Sequence, residues 1–345
     1  MKTLFAKLDD YSARNEKENR KDWIRILTRT RAEELLMSDK DPNRVVGVKI
    51  RTAKGRSEDL KADAVILACG GFCNDHSKQD SLLTQYRPDL TKYPSTNGDF
   101  ADGSGIKMAL KLGADVVGMN RVQCHPTGFV DPKDPKSKTK RMCPEALRGF
   151  GGILVNNEGH RFANELDLRE NFVTLIEKNC KVDPNCGFKT AYLIVNDEIV
   201  ENFGRSSFDI YLKAGLVRTA ANLKELSKMI GIPYKNLKST FDDQDQCFRC
   251  EKSDDFGKTI FPVQFDVNQI FYFCQTTPSI HYTFGGLKVD ESCRVLTSAD
   301  HRPIHGLYAV GETAGGTHGA ERLSGNSLLE CVVFGRLAAQ EAIKN

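Results

Sequence analysis

Apolar positions recur along this 345-residue chain in two rhythms. Near the C-terminus Leu328, Leu329, Val332, Val333, Leu337 and Ala338 keep helical spacing, and Ser327-Leu328-Leu329-Glu330 has the S-x-x-E form of a capping box. The pattern predicts a helix that begins at this box, with Gly325 allowing a ligand to approach its first-turn N–H groups. Elsewhere the rhythm is that of strands. Trp23-Ile24-Arg25-Ile26-Leu27 and residues 45–50 alternate and are rich in β-branched side chains, with Asp41-Pro42-Asn43 turning between them. Residues 63–68 form a buried-type apolar run that ends in Gly70-Gly71. A second such run, Gly306-Leu307-Tyr308-Ala309-Val310, ends in Gly311-Glu312. Gly103-Ser104-Gly105 opens a predicted helix over 106–112, closed by Gly113, and the polar stretch 1–20 is compatible with a first helix.

Strands that run into glycine turns bring backbone close to a ligand beyond their carboxyl ends, and Glu312 sets a carboxylate there to accept from sugar hydroxyls. From about 122 to 280 the texture changes to a lysine- and proline-rich loop (131–141), a mixed core stretch and a polar segment around 242–258. The expected organisation is therefore α/β, with one domain split over 1–121 and 281–345 and an α+β domain, 122–280, inserted between its parts.

The length allows two domains and 40% hydrophobic content suits a globular protein. A formal charge of +3 gives no bulk attraction for nucleic acid or membrane surfaces. Eleven cysteines without framework spacing point to reduced thiols, and Cys247-Phe248-Arg249-Cys250 reads as an exposed loop rather than a metal or redox site. No His or Cys cluster has metal-ligand spacing, so no metal is expected. With no apolar run of membrane-spanning length and no secretory core, the expectation is a soluble, intracellular protein, in the cytoplasm or in an organelle such as a mitochondrion or peroxisome.

Five motifs carry more. They are Ala68-Cys69-Gly70-Gly71-Phe72, Gln123-Cys124-His125-Pro126-Thr127, Asn164-Glu165-Leu166-Asp167-Leu168-Arg169, His281-Tyr282-Thr283-Phe284-Gly285-Gly286, and the block 311–326. In this order they give the chain, from about Val45 onward, a resemblance to the flavoprotein family of fumarate reductase and succinate dehydrogenase. It is most similar to the soluble single-chain fumarate reductases and the flavin part of flavocytochrome c. The resemblance implies non-covalent FAD in a Rossmann-like domain, touched by Gly70, Gly71, Ser104, Glu312, Asn326, Ser327 and Leu328, under a mobile capping domain. Ser104 stands where the family usually has an aspartate. The family's opening G-x-G-x-x-G turn is absent, so the Rossmann-like domain is expected to be partial, in a fragment or a naturally shortened relative.

Reduction of a carbon–carbon double bond flanked by carboxylates needs a hydride donor, groups that hold both carboxylates and an acid for the carbanion-like carbon. The resemblance implies that Arg322, His125 and His281 hold the carboxylates and that Arg169 is the acid. Glu145 and Arg148 match the family pair that passes protons to that acid. Read without the family, a carboxylate between two guanidiniums is an ordinary salt bridge. Pro144 stands where some relatives place a hydroxyl against substrate. The expected function is FAD-dependent reduction of fumarate to succinate. The alternatives are a catalytically incomplete module of the same family or a reductase of another unsaturated acid. With no C-x-x-C-H and no nicotinamide fingerprint, electrons would come from a separate domain, free reduced flavin or an NADH-linked partner.

Overall fold

The computed structural model describes residues 24–344 other than Lys78 and Ala320, together with residues 3, 6–8 and 10. The few described residues of the predicted 1–20 helix are helical, and the remainder of that prediction, like Trp23, lies outside the described residues. Strands β1 (Thr30–Met37), β2 (Val45–Thr52) and β3 (Ser57–Lys61) form an antiparallel sheet in that order. The strand predicted at 23–27 is not formed, since residues 24–27 have no regular structure. Its place beside β2 is taken by β1, whose Glu33 and Glu34 pair across the sheet with Arg51 and Lys49. Two adjacent glutamates hide the strand rhythm, and cross-strand charge pairing restores it. The turn predicted at 41–43 does connect β1 to β2, closed by Arg44 N–H donating to Asp41 C=O.

Strand β4 (Val65–Leu67) precedes helices α1 (Leu82–Tyr86) and α2 (Ser104–Leu110), followed by β5 (Val116–Val117) and β6 (Val122–Phe129). Helix α2 starts two residues before its predicted beginning, because left-handed Gly103 is its N-cap. Helix α3 (Glu145–Gly149), β7 (Ile153–Val155), α4 (Arg169–Asn179) and β8 (Ala191–Asn196) come next. Helices α5 (Asp197–Phe203) and α6 (Arg205–Ala214), β9 (Arg218–Ala220), α7 (Leu223–Ile230) and α8 (Tyr234–Phe248) lead to β10 (Phe271–Thr283). Cys247 is buried in the last turn of α8, and only Cys250 is exposed, so the C-x-x-C is not the wholly exposed loop expected of it. Strands β11 (Gly286–Leu287), β12 (Arg294–Leu296) and β13 (Pro303–Ala309) and helix α9 (Asn326–Ala342) complete the fold.

The long strand β10 organises the molecule. It pairs antiparallel with β6, β8 and β9, and β7 extends the sheet beyond β8. Phe129, Leu193, Phe271 and Phe273 from this sheet share one buried cluster with Leu147, Phe172, Phe208 and Phe241. A second cluster gathers Leu67, Phe72, Leu82, Ile106 and Leu307 around β4, which runs parallel to β13. Val122 of β6 and Ile280 of β10 belong to this second cluster, so both strands cross from one core to the other. His125 lies between those anchor points on β6, and His281 directly follows Ile280 on β10, which places both histidines near the seam.

The capping box is not formed. Helix α9 has left-handed Gly325, φ 85°, as its N-cap, and the Glu330 side chain is engaged by Tyr282 and His318 instead. Leu337 and Ala338 pack on Tyr308 and Val310 as the helical pattern predicts. The other half of the stripe stays in solvent: Leu328 is 71% exposed, Leu329 57%, Val332 53% and Val333 49%.

Candidate active site

His125 lies on β6, where it pairs with Ser279, and His281 lies on the neighbouring β10 at an irregularity of register. Ile280 pairs with Cys124 and Tyr282 with Gln123, so His281 is the extra residue of a bulge. A bulge re-aims one side chain without ending the strand. Here it turns the His281 ring edge-on to that of His125, with centroids 5.4 Å apart. Thr96 Oγ1, 2.7 Å from Nδ1, holds the His281 ring, and Asn97 donates to its backbone carbonyl.

His125 is fully buried. Nδ1 lies 3.1 Å from Thr127 C=O and 3.2 Å from Thr127 N–H, so Thr127 holds the ring in either tautomer, donating to Nδ1 or accepting from it. Nε2 has no partner among the described residues. Burial, the neighbouring His281 ring and the charges of Arg148 and Arg169 push the His125 pKa well below its ordinary value. Burial, with Arg169 and Arg322 nearby, pushes His281 down to about 4. Both rings are therefore neutral at pH 7.

Arg169 is the first residue of α4, whose Phe172, Val173 and Ile176 are buried and fix the helix against β6. Its guanidinium donates from Nη1 to Gln123 Oε1 at 2.8 Å and from Nε and Nη2 to Glu145 Oε2. Burial opposes ionisation of Glu145, but the bonds and charge of Arg169, helped by Arg148 and His281, outweigh it and hold the carboxyl below its ordinary value. Arg148 lies behind this pair. It donates to the Glu165 carbonyl, stacks over Phe172 and makes no ion pair with Glu145 among the described residues. Its Nε and Nη2 are buried without partners, and burial lowers its pKa.

Arg322 comes from the loop before α9. It is 8% exposed, lies over the Tyr282 ring and has an unpartnered Nε. His125, Glu145, Arg169, His281, Glu312, Arg322, Ser327 and Leu328 line one cavity of about 410 Å³, which Asn97, Met142, Pro144 and Tyr282 help to close. Arg148 backs this cavity from the buried side. Ser104 is elsewhere, in a separate recess with Arg29, Arg31, Arg51 and Asp102. Thr96, Asn97, Gln123 and Tyr282 belong to the site without having been assigned a role from sequence. Gln123 and Tyr282 sit inside recognised motifs, whereas nothing in Pro94-Ser95-Thr96-Asn97 signals that its hydroxyl and amide fix His281.

The cavity runs on to the start of α9, where the fit of a flavin can be judged. A Cβ at Gly70 (φ 79°) or Gly325 would meet no atom within 4 Å, so both positions are open to a ligand. Gly71 is different. Its missing Cβ leaves room for this chain's own Thr283 and Glu312. Glu312 Oε1 accepts from Thr283 N–H and Oγ1 and from the Cys73 thiol, which leaves Oε2 for a hydroxyl in the cavity. Burial raises the Glu312 pKa. The groups at this end suit the ring and polyol of a flavin.

Two guanidiniums, two neutral imidazoles and an ionised carboxylate around a small cavity define an anion-binding site beside an opening for a cofactor ring. The family described as FAD binding domain matches residues 3–328. A fumarate reductase of Schizosaccharomyces pombe is 37% identical over 308 residues, covering 89% of this chain and 58% of that protein. An NADH:acrylate oxidoreductase of Vibrio harveyi is 32% identical over 339 residues, 97% of this chain and 32% of the other. The open conformation of a flavocytochrome c3 fumarate reductase superposes with a TM-score of 0.73 at 28% identity, covering 91% of this chain and 52% of that one. The chain belongs to the FAD-binding flavoprotein family of the fumarate reductases and succinate dehydrogenases. It spans little more than half the length of the fumarate reductases it matches. Among the described residues no helix is long and apolar enough to cross a membrane, and no cluster of His, Cys, Asp and Glu could hold a metal ion.

Proposed function

We propose that this chain carries the reducing site of an FAD-dependent fumarate reductase, which converts fumarate to succinate. The observation that carries the reading is the convergence of His125, His281, Arg169 and Arg322, drawn from four distant stretches, on one cavity sized for a small dianion. The bound flavin would supply the hydride. Arg322 faces one carboxylate with its unpartnered Nε–H, and the unpartnered His125 Nε2 and the His281 ring face the other. Neutral imidazoles orient by hydrogen bonding and leave the positive charge to the arginines, where it stabilises negative charge developing on the substrate. Arg169 protonates the carbon opposite the one that takes the hydride. Glu145, ionised and half in solvent, takes up the replacement proton and hands it to Arg169. Arg148 favours the ionised form of Glu145 from a distance.

Residues 122–280 form the capping domain in this reading, and 1–121 with 281–345 the FAD domain. The two buried clusters that β6 and β10 bridge support that division. Gly70, Glu312, Asn326, Ser327 and Leu328 are the residues we assign to the flavin half of FAD, and Gly71 acts indirectly by making room for Glu312 and Thr283. Ser104 is the weakest of the proposed contacts, because its recess is not the cavity of the catalytic groups. Electrons would reach the flavin from a separate domain, free reduced flavin or an NADH-linked partner. Acrylate, named for one relative, has a single carboxylate, and two arginines with two histidines favour a dicarboxylate.

The test is to titrate the purified chain with FAD and then with succinate while following the visible spectrum. Uptake of FAD and a spectral shift saturable by succinate support the reading. A chain that takes up FAD but ignores succinate contradicts it.

A further inference from the structure

Arg322 poses a problem of placement. Its side chain has many rotatable bonds and is buried, yet no carboxylate lies within 4.0 Å of it among the described residues, and its one hydrogen bond is a 3.4 Å contact to the Leu323 carbonyl. What fixes it is a ring: the guanidinium carbon lies 4.4 Å from the centroid of Tyr282. A carboxylate in that place would consume the N–H donors and neutralise the charge. An aromatic face attracts the cation and leaves both for an anionic ligand.

Tyr282 is itself locked. Its hydroxyl donates to Glu330 Oε1 on α9, and His318 Nε2 lies 3.3 Å from the same hydroxyl and 2.8 Å from Glu330 Oε2. The His318 and Phe284 rings meet the Tyr282 ring edge-on, with centroids 5.6 Å away in each case. Burial and Glu330 push the phenol pKa up, so the hydroxyl stays a donor. A phenol that donates to a carboxylate has a more electron-rich ring and holds a cation more firmly. Strand β10, the loop before α9 and α9 itself are joined by this cluster.

We propose that Tyr282, held by Glu330 and His318, is the positioning residue that aims the Arg322 guanidinium at a substrate carboxylate. The proposal rests on the dicarboxylate reading of the cavity and adds the reason why this arginine is presented uncompensated.

A double-mutant cycle on the FAD-loaded protein tests it, with succinate affinity measured by calorimetry and folding checked by thermal melting. Tyr282→Leu should weaken succinate binding about tenfold where Arg322 is present, and less than about twofold in an Arg322→Ala background. Tyr282→Phe and Glu330→Gln, which keep the ring but loosen its anchor, should each show a smaller loss, also confined to the Arg322 background. Equal losses in both backgrounds overturn the proposal while leaving the site reading intact. If Arg322→Ala leaves succinate affinity unchanged, the dicarboxylate reading falls, and the proposal with it. Should Tyr282→Leu fail to fold, the cycle is read from Tyr282→Phe, for which additivity is equally fatal.

Discussion

Glu145 holds Arg169 through a single oxygen, Oε2, which lies 2.9 Å from Nε and 2.5 Å from Nη2. The pairing is side-on and leaves Oε1 outside the pair, on a carboxylate that remains about half exposed (48%). In the proposed mechanism this one carboxylate would carry a proton from water to the arginine. Glu145→Gln should lower kcat about 100-fold while changing succinate affinity by less than about threefold, because the amide cannot carry the proton. Steady-state kinetics with fumarate and a chemical reductant, beside calorimetry, provide the check. A matched loss in affinity would make Glu145 a binding group.

Arg148 acts on Glu145 without touching it. Arg148→Met removes a buried cation that lowers the Glu145 pKa, so the acidic limb of the kcat profile should move to higher pH while the plateau falls by less than about tenfold. A plateau loss as deep as that of Glu145→Gln would instead make Arg148 a direct member of the proton path.

The histidines predict how stability responds to acid. In the folded chain burial and nearby cations push His281 down to about 4 and His125 well below its ordinary value, whereas an unfolded histidine titrates near 6.5. Below that value the unfolded state binds protons that the native state refuses, so stability is full above about pH 6.5 and falls as pH drops towards 4, by up to about 1.4 kcal/mol per unit for each ring. Urea midpoints across this window should show the slope, and His281→Asn should flatten part of it. An unchanged slope in the variant would contradict the neutral, buried ring.

Much of this could be read before the fold was known, and the gaps have physical causes. Strands β2 and β13 and the later turns of α9 follow from local apolar rhythm. Strand β1 does not, because Glu33 and Glu34 are acceptable in a strand only when Arg51 and Lys49 stand opposite. The histidines stand out by motif, but the bulge that turns His281 towards His125 depends on register with a distant strand. Ser327-x-x-Glu330 matches a local signal, yet Tyr282 and His318, which no local pattern connects, take the glutamate. Tertiary partners decided each of these.

Loop 161–168, which leads into Arg169, is anchored by a buried charge network. Glu165 accepts from Arg161 at 2.8 Å and from the fully buried Lys258 at 3.0 Å, and Arg161 also pairs with Asp254. Lys258→Met leaves Glu165 with one cation fewer in a buried site, and should cost about 3–5 kcal/mol by urea unfolding. A loss below about 1 kcal/mol would show that the network is a dispensable surface latch.

The exposed half of α9 makes a further prediction. Val332 and Val333 are about half exposed and belong to none of the buried clusters, so Val332→Lys with Val333→Glu should shift stability by less than about 1 kcal/mol by urea unfolding. A large loss of stability would mean that this face is covered within the folded chain.

The central claim is tested most directly by single-turnover reoxidation. FAD-loaded protein, reduced anaerobically with dithionite and mixed with fumarate, should regain its yellow colour as one succinate forms per flavin, whereas the Arg169→Ala protein stays bleached. A wild-type protein that binds FAD and remains bleached in excess fumarate would contradict the account.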